Sequence, residues 1–164
     1  MSNTNSNEIT IREVTSKRDL QRFVQFGIDL YKENPYYCPP IFFDEVNTFN
    51  PKSNPALEVC DHIIFMAYRN DEIVGRIVGI INHCANEAWD VKKCRFGWFE
   101  CVDDYEVFKS LLDSVAAWGK SKGMTCLKQG SGQFGNQRIR HAEGFQQYDI
   151  HPSHLMKFDI HCFR

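Results

Sequence analysis

Glu100 lies near the end of the apolar run CRFGWFECV, where a strand can carry a carboxylate to the rim of a sheet. A carboxylate so placed can act as a general base, or it can simply face outward from the strand. Asn82, His83, Asn86 and Glu87 follow another long apolar run in INHCANEAWD. A neutral His83 can bind or deprotonate a ligand, with Asn82 and Asn86 as substrate contacts. The same residues also end strands readily, because Asn and His tolerate unusual backbone angles. Arg76 interrupts an apolar strand. If it points inward it needs a carboxylate partner, since an unpaired buried charge is strongly destabilising, and structural pairing is the reading we favour. Asp103 and Asp104 could hold a cation, yet capping of the following helix accounts for both. Cys101 stands beside them as a conceivable nucleophile, but nothing places a base to make its thiolate. His151-x-x-His154 with His161-Cys162 imitates zinc spacing without a partner knuckle, so no metal is expected.

These residues need elements to hold them. Ile9, Ile11 and Val14 begin an alternating strand, and Thr15 or Ser16 caps a helix whose apolar positions Leu20, Phe23, Val24, Ile28 and Tyr31 recur at helical spacing. Asn34-Pro35 ends it. The segment PYYCPPIFFDEVNTFNPKSNP reads as a packed connection with a helical turn near Phe43–Val46. HIIFMAYRN and EIVGRIVGIIN, joined at Asn70-Asp71, form a hairpin, and being apolar on both faces they belong at the centre of a sheet. CRFGWFECV is a third strand. The next helix presents Phe108, Leu111, Leu112, Val115 and Trp118 as one stripe, has Lys120 and Lys122 at its negative end, and stops at Gly123. Met124–Leu127 then returns as a strand parallel to the one before the helix.

Bulk properties narrow the function classes. A chain of 164 residues with 43% hydrophobic residues suffices for one domain with a core, and each buried large apolar side chain contributes roughly 1.5–3 kcal/mol. A net charge of −2 gives no general attraction to nucleic acid. MSNTNSNE lacks the features of a signal peptide, and no apolar stretch approaches a bilayer span, so a cytoplasmic location without membrane contact is expected. Seven cysteines without a CxxC pair read as free thiols.

The order strand, helix, irregular connection, long hairpin, third strand, long helix, strand is similar to the GNAT superfamily of acyl-CoA N-acyltransferases. FGIDLYKENPYYCPPI, NPALE, HIIFMAYRNDEIVGRIVGIINHCANE and RFGWFECVDDYEVFKSLLDSVAAWGKSKGM resemble an uncharacterised bacterial GNAT-like branch. The resemblance covers about residues 9 to 129. It implies an α/β (α+β) fold, a mixed, splayed sheet flanked by helices with an acyl-CoA, such as acetyl-CoA, in the gap. It also implies an acceptor amine, small-molecule or peptide, that attacks the thioester directly while Glu100 or His83 takes its proton. Most GNAT enzymes hold the CoA pyrophosphate on a glycine-rich loop after the third strand. The matching stretch includes Cys101, Val102, Asp103, Asp104 and Tyr105; it has no glycine, and its carboxylates repel phosphate. The alternative implied is a non-catalytic GNAT-like domain that binds a ligand or partner.

Residues 1–8 read as a disordered start and 130–164 as an atypical tail. The expected closing segments of the branch are absent, and a one-base shift across Gln137–Gln147 can restore S-E-S-G-M-L-K-G-F-N-N, so the tail reads as a frameshift product. Missing closing strands would leave an exposed edge and favour a homo-oligomer.

Overall fold

The computed structural model describes residues 8–129 and the pair 161–162. Its elements in chain order are β1 (Ile9–Glu13), α1 (Lys17–Leu30), α2 (Phe42–Thr48), β2 (Cys60–Arg69), β3 (Glu72–Asn82), α3 (His83–Ala88), β4 (Lys93–Cys101), α4 (Tyr105–Ser121), β5 (Cys126–Gln129) and β6 (His161–Cys162). The strands lie in sequence order in one mixed sheet. Only β4 and β5 run parallel, Lys93 to Phe96 beside Cys126 to Gln129; every other neighbouring pair is antiparallel. This is the mixed α/β sheet expected from the sequence.

Local chemistry accounts for the frame. Asn70 and Asp71 both adopt positive φ, 50° and 63°, the geometry of a two-residue hairpin whose twist matches its strands. β2 and β3 are consequently paired along nearly their whole length, from Cys60 opposite Asn82 to Arg69 opposite Glu72. Ser16 caps α1 by accepting from the Asp19 amide. Asp104 does the same for α4, and Gly123, at φ 76°, takes the left-handed turn that ends it.

Each face of the sheet has its own apolar layer. α4 packs Val107, Leu111, Leu112 and Val115 on one face against Ala67, Ile77, Ile81 and Phe96. On the other face Phe23 and Val24 of α1 meet Ile64, Met66, Val78 and Ile80, with Phe42, Val46 and Phe49 at the margin. Among the described residues, no helix is long and apolar enough to cross a membrane, and no three His, Cys, Asp or Glu side chains are grouped as a metal site. Cys38, Cys60, Cys84, Cys94, Cys101 and Cys126 are free thiols.

Some boundaries differ from the sequence reading. α1 ends at Leu30 because the chain then tightens into short turns, the Lys32 amide bonding Asp29 and the Asn34 amide bonding Tyr31. The single turn near Phe43 is a two-turn helix, and INHCANEAWD holds a helix where a strand end was expected. β6 supplies two residues of pairing beyond β5. The His151-x-x-His154 spacing, the proposed frameshift and residues 1–7 lie outside the described residues.

Candidate functional site

Arg76 and Glu100 stand opposite each other on β3 and β4. The Arg76 side chain has no exposed surface and that of Glu100 has 11%. Nε of Arg76 donates to Oε2 of Glu100 at 2.7 Å, while Nη2 approaches the same oxygen at 2.5 Å off the hydrogen-bond axis. Nη1 donates to the Phe23 carbonyl at 2.6 Å, and the guanidinium carbon lies 4.7 Å from the centre of the Phe23 ring. The carboxylate partner that Arg76 required is therefore the residue singled out as a base. α1 closes over the pair at Gly27, where any Cβ would collide with the Arg76 guanidinium and with Oε2 of Glu100. Tyr31 flanks the pair; burial first, then the Glu100 charge, pushes its phenol well above the usual range, so it stays protonated.

Glu100 reaches this position through an irregularity in β4. Arg76 pairs with Glu100 and Val78 with Gly97, so two steps on β3 face three on β4. Trp98 supplies the extra step with φ 46°, left-handed and costly for a bulky residue. Its indole N–H donates to Glu45 Oε2 at 3.1 Å, and its ring packs 5.1 Å from that of Phe49. Beside it lies a small apolar recess walled by Phe49, His62, Val78, Ile80 and Trp98. Burial holds the His62 imidazole below its usual pKa, so it stays neutral.

The segment after β4 is occupied by its own side chains. Oδ1 of Asp104 accepts from the amides of Glu106 and Val107, at 2.9 and 3.3 Å. Oδ2 accepts from Nη2 of Arg69 at 2.9 Å. That Arg69 hydrogen bond, with the two amides, holds the Asp104 carboxyl below the usual carboxylate range. The Val102 amide bonds the Val74 carbonyl and the Asp104 amide bonds the Val102 carbonyl. Cys101 is pushed up to about 12 by burial, then by the charges of Asp104, Asp103 and Glu100, so it remains a thiol. Tyr105 is exposed. A CoA diphosphate held in the GNAT manner needs open amides at this helix start, and these residues do not fit one.

Asn82 and His83 sit at the far end of the sheet. Asn82 is six positions along β3 from Arg76, which is roughly 20 Å at the usual rise per strand residue. Glu100 and His83 therefore cannot serve one substrate nitrogen. His83 Nε2 lies 3.4 Å from Asp61, which also faces Lys122 at 3.3 Å. The His83 and Lys122 hydrogen bonds keep the Asp61 carboxyl below its usual range. Asn82 caps α3 through the Ala85 amide. Asn86 is buried, donates to the Lys93 carbonyl at 2.9 Å and accepts from Arg95 at 3.4 Å, so its amide is spent on holding α3 to β4. Gly27, Tyr31 and Trp98 escaped the sequence reading. A glycine inside an amphipathic helix was their one available signal.

No family model matches the chain. Among curated proteins, Protein YghO of Escherichia coli (strain K12) is 33% identical over 161 residues, 95% of this chain but 39% of its own length. A bacterial ceramide synthase of Caulobacter vibrioides is 26% identical over 119 residues, 72% of this chain and 31% of its own. The chain thus spans about a third of the length of these relatives, and the YghO match necessarily runs past residue 129. Among solved structures, a tandem GNAT protein from the clavulanic acid biosynthesis pathway superposes with a TM-score of 0.58 at 12% identity, over 84% of this chain and 43% of that one. A GNAT acetyltransferase of Staphylococcus aureus gives 0.51 at 19%, over 76% of this chain and 73% of that one. A ribosomal-protein-alanine N-acetyltransferase of Brucella melitensis gives 0.52 at 12%, over 86% and 90%. With the strand order and parallel β4–β5 pair described above, these likenesses establish that the chain is built on the GNAT acyltransferase fold.

Proposed function

We propose that the chain is the GNAT unit of an N-acyltransferase, which joins an acyl group from a thioester to an amine. The observation that carries this reading is a shared product bond. The Brucella fold neighbour, a ribosomal-protein-alanine N-acetyltransferase, forms an amide, and a ceramide, the product named for the Caulobacter relative, is itself an N-acylated amine. In the proposed reaction the amine attacks the thioester carbonyl without a covalent enzyme intermediate, in keeping with a Cys101 that stays protonated. Glu100 is the base we favour, because it lies on β4, the strand whose earlier residues Lys93–Phe96 pair in parallel with β5, and Arg76 fixes its orientation. Acetyl-CoA, another acyl-CoA or a related thioester is the donor, and a small-molecule or peptide amine the acceptor.

Purified chain incubated with thioesters of short and long acyl groups and a panel of primary amines, analysed for amide by mass spectrometry, tests this. Amide formation above the uncatalysed rate, reduced at least about tenfold by Glu100→Gln, is expected. Failure of every pair to give amide, with no thermal shift by any thioester, would leave the second reading. That reading is a non-catalytic GNAT-like binding domain, and the self-occupied start of α4 is the feature that favours it.

A further inference from the structure

The corner between β4 and α4 has every property of an anion site except vacancy. It offers two amides at a helix start and one guanidinium, and the Asp104 carboxylate accepts from each of them: Glu106 N at 2.9 Å, Val107 N at 3.3 Å and Arg69 Nη2 at 2.9 Å. The Val102 and Asp104 amides of the turn are bonded to the carbonyls of Val74 and Val102. Asp103 and Glu106 place two further carboxylates within two residues of that cap. A diphosphate arriving here would face the Asp103 and Glu106 carboxylates beside the Asp104–Arg69 pair, and would have to displace Asp104 to gain the Glu106 and Val107 amides. The same corner in a glycine loop would offer bare backbone; here residues 100–106 contain no glycine.

We propose that the chain recognises its donor by the acyl group and the pantetheine thioester alone, with Asp104 as the specificity residue that removes any contribution from a nucleotide diphosphate. The donor class is an acyl-pantetheine thioester, whatever its far end carries. This rests on the N-acyltransferase reading. In that step the amine nitrogen bonds the carbonyl carbon, the carbon–sulfur bond breaks, and the departing pantetheine sulfur leaves as a thiol with the proton the amine gives up. No phosphate takes part, so its loss affects binding only.

Calorimetry on the whole 164-residue chain with matched donors, S-octanoyl-pantetheine against octanoyl-CoA and S-acetyl-pantetheine against acetyl-CoA, decides the matter. The CoA ester is expected to bind no more than about threefold more tightly than its pantetheine partner. Asp104→Asn keeps a capping oxygen but loses the charge, and should improve the CoA ester relative to the pantetheine ester by at least about threefold. A CoA advantage above about threefold in the native chain, or a variant that shifts both donors alike, overturns the proposal while leaving N-acyl transfer in place. Binding of neither member of either pair overturns the N-acyltransferase reading itself, and this proposal with it.

Discussion

At one end of the β3–β4 ribbon Arg76 meets Glu100 beneath α1; at the other, Asp61 meets Lys122 and His83 in the open. Both are cation–carboxylate contacts, the first between facing strands and the second from β2 to the start of α3 and the end of α4. The first is sealed by Gly27 and the Phe23 ring, while the side chains of the second keep 42–58% of their surface in water. In water such a pair gains little because solvent screens it; under a helix, losing one partner strands a charge that nothing else can solvate. The comparison separates a fixed geometry, suited to presenting one carboxylate in one direction, from a mobile polar surface.

Glu100→Ala should give the largest effect, a loss of about 3–5 kcal/mol in urea unfolding, because it leaves the fully buried Arg76 unpaired. A loss below about 1 kcal/mol would put the two ends in the same class and erase the distinction. Gly27→Ala should follow at about 1–3 kcal/mol, since the added methyl forces α1 off the pair. In an Arg76→Met/Glu100→Met chain the same substitution should cost clearly less, and strict additivity there would refute the contact.

Asp104→Ala should cost about 1 kcal/mol through the lost cap of α4. Its folded pKa is depressed, so its contribution is complete above the unfolded value of about 4 and disappears as pH falls through the lower folded value. The difference between native and variant stability, followed by thermal melts, should be flat from about pH 5 to 8 and shrink below about pH 4. Asp61→Asn should be the mildest, at most about 1 kcal/mol, and should fade in about 1 M salt; persistence there would mean that the exposed cluster is better shielded than its accessibility implies.

Much of the scaffold could be read in advance because its signals are local. Asn70-Asp71 between two apolar runs, Asp104 ahead of the α4 stripe and Gly123 after it each act within a few residues. The need of Arg76 for a carboxylate was equally legible, since burial of a charge is a local inference. The identity of that carboxylate was not, as Glu100 lies 24 residues away and reaches it only through the irregular step at Trp98. α3 hid because Asn82 and Asn86 are turn formers in isolation; Asn82 in fact caps the helix through the Ala85 amide, and Asn86 is held in it by contacts to Lys93 and Arg95.

The left-handed Trp98 also acts as a parity switch. Before it, even-numbered Cys94 and Phe96 face the α4 layer; after it, odd-numbered Phe99 and Cys101 do, while Trp98 joins the opposite layer. Glu100, even-numbered, would point into the α4 core on an unbroken strand. The extra residue changes the frame of β4, and that change delivers a carboxylate to Arg76 rather than to a wall of leucine and valine. Deleting one residue at 97–98 would thus restore plain alternation and leave Glu100 at the guanidinium, whereas straightening the strand with its residue count kept would exchange Glu100 for Phe99 or Cys101 there.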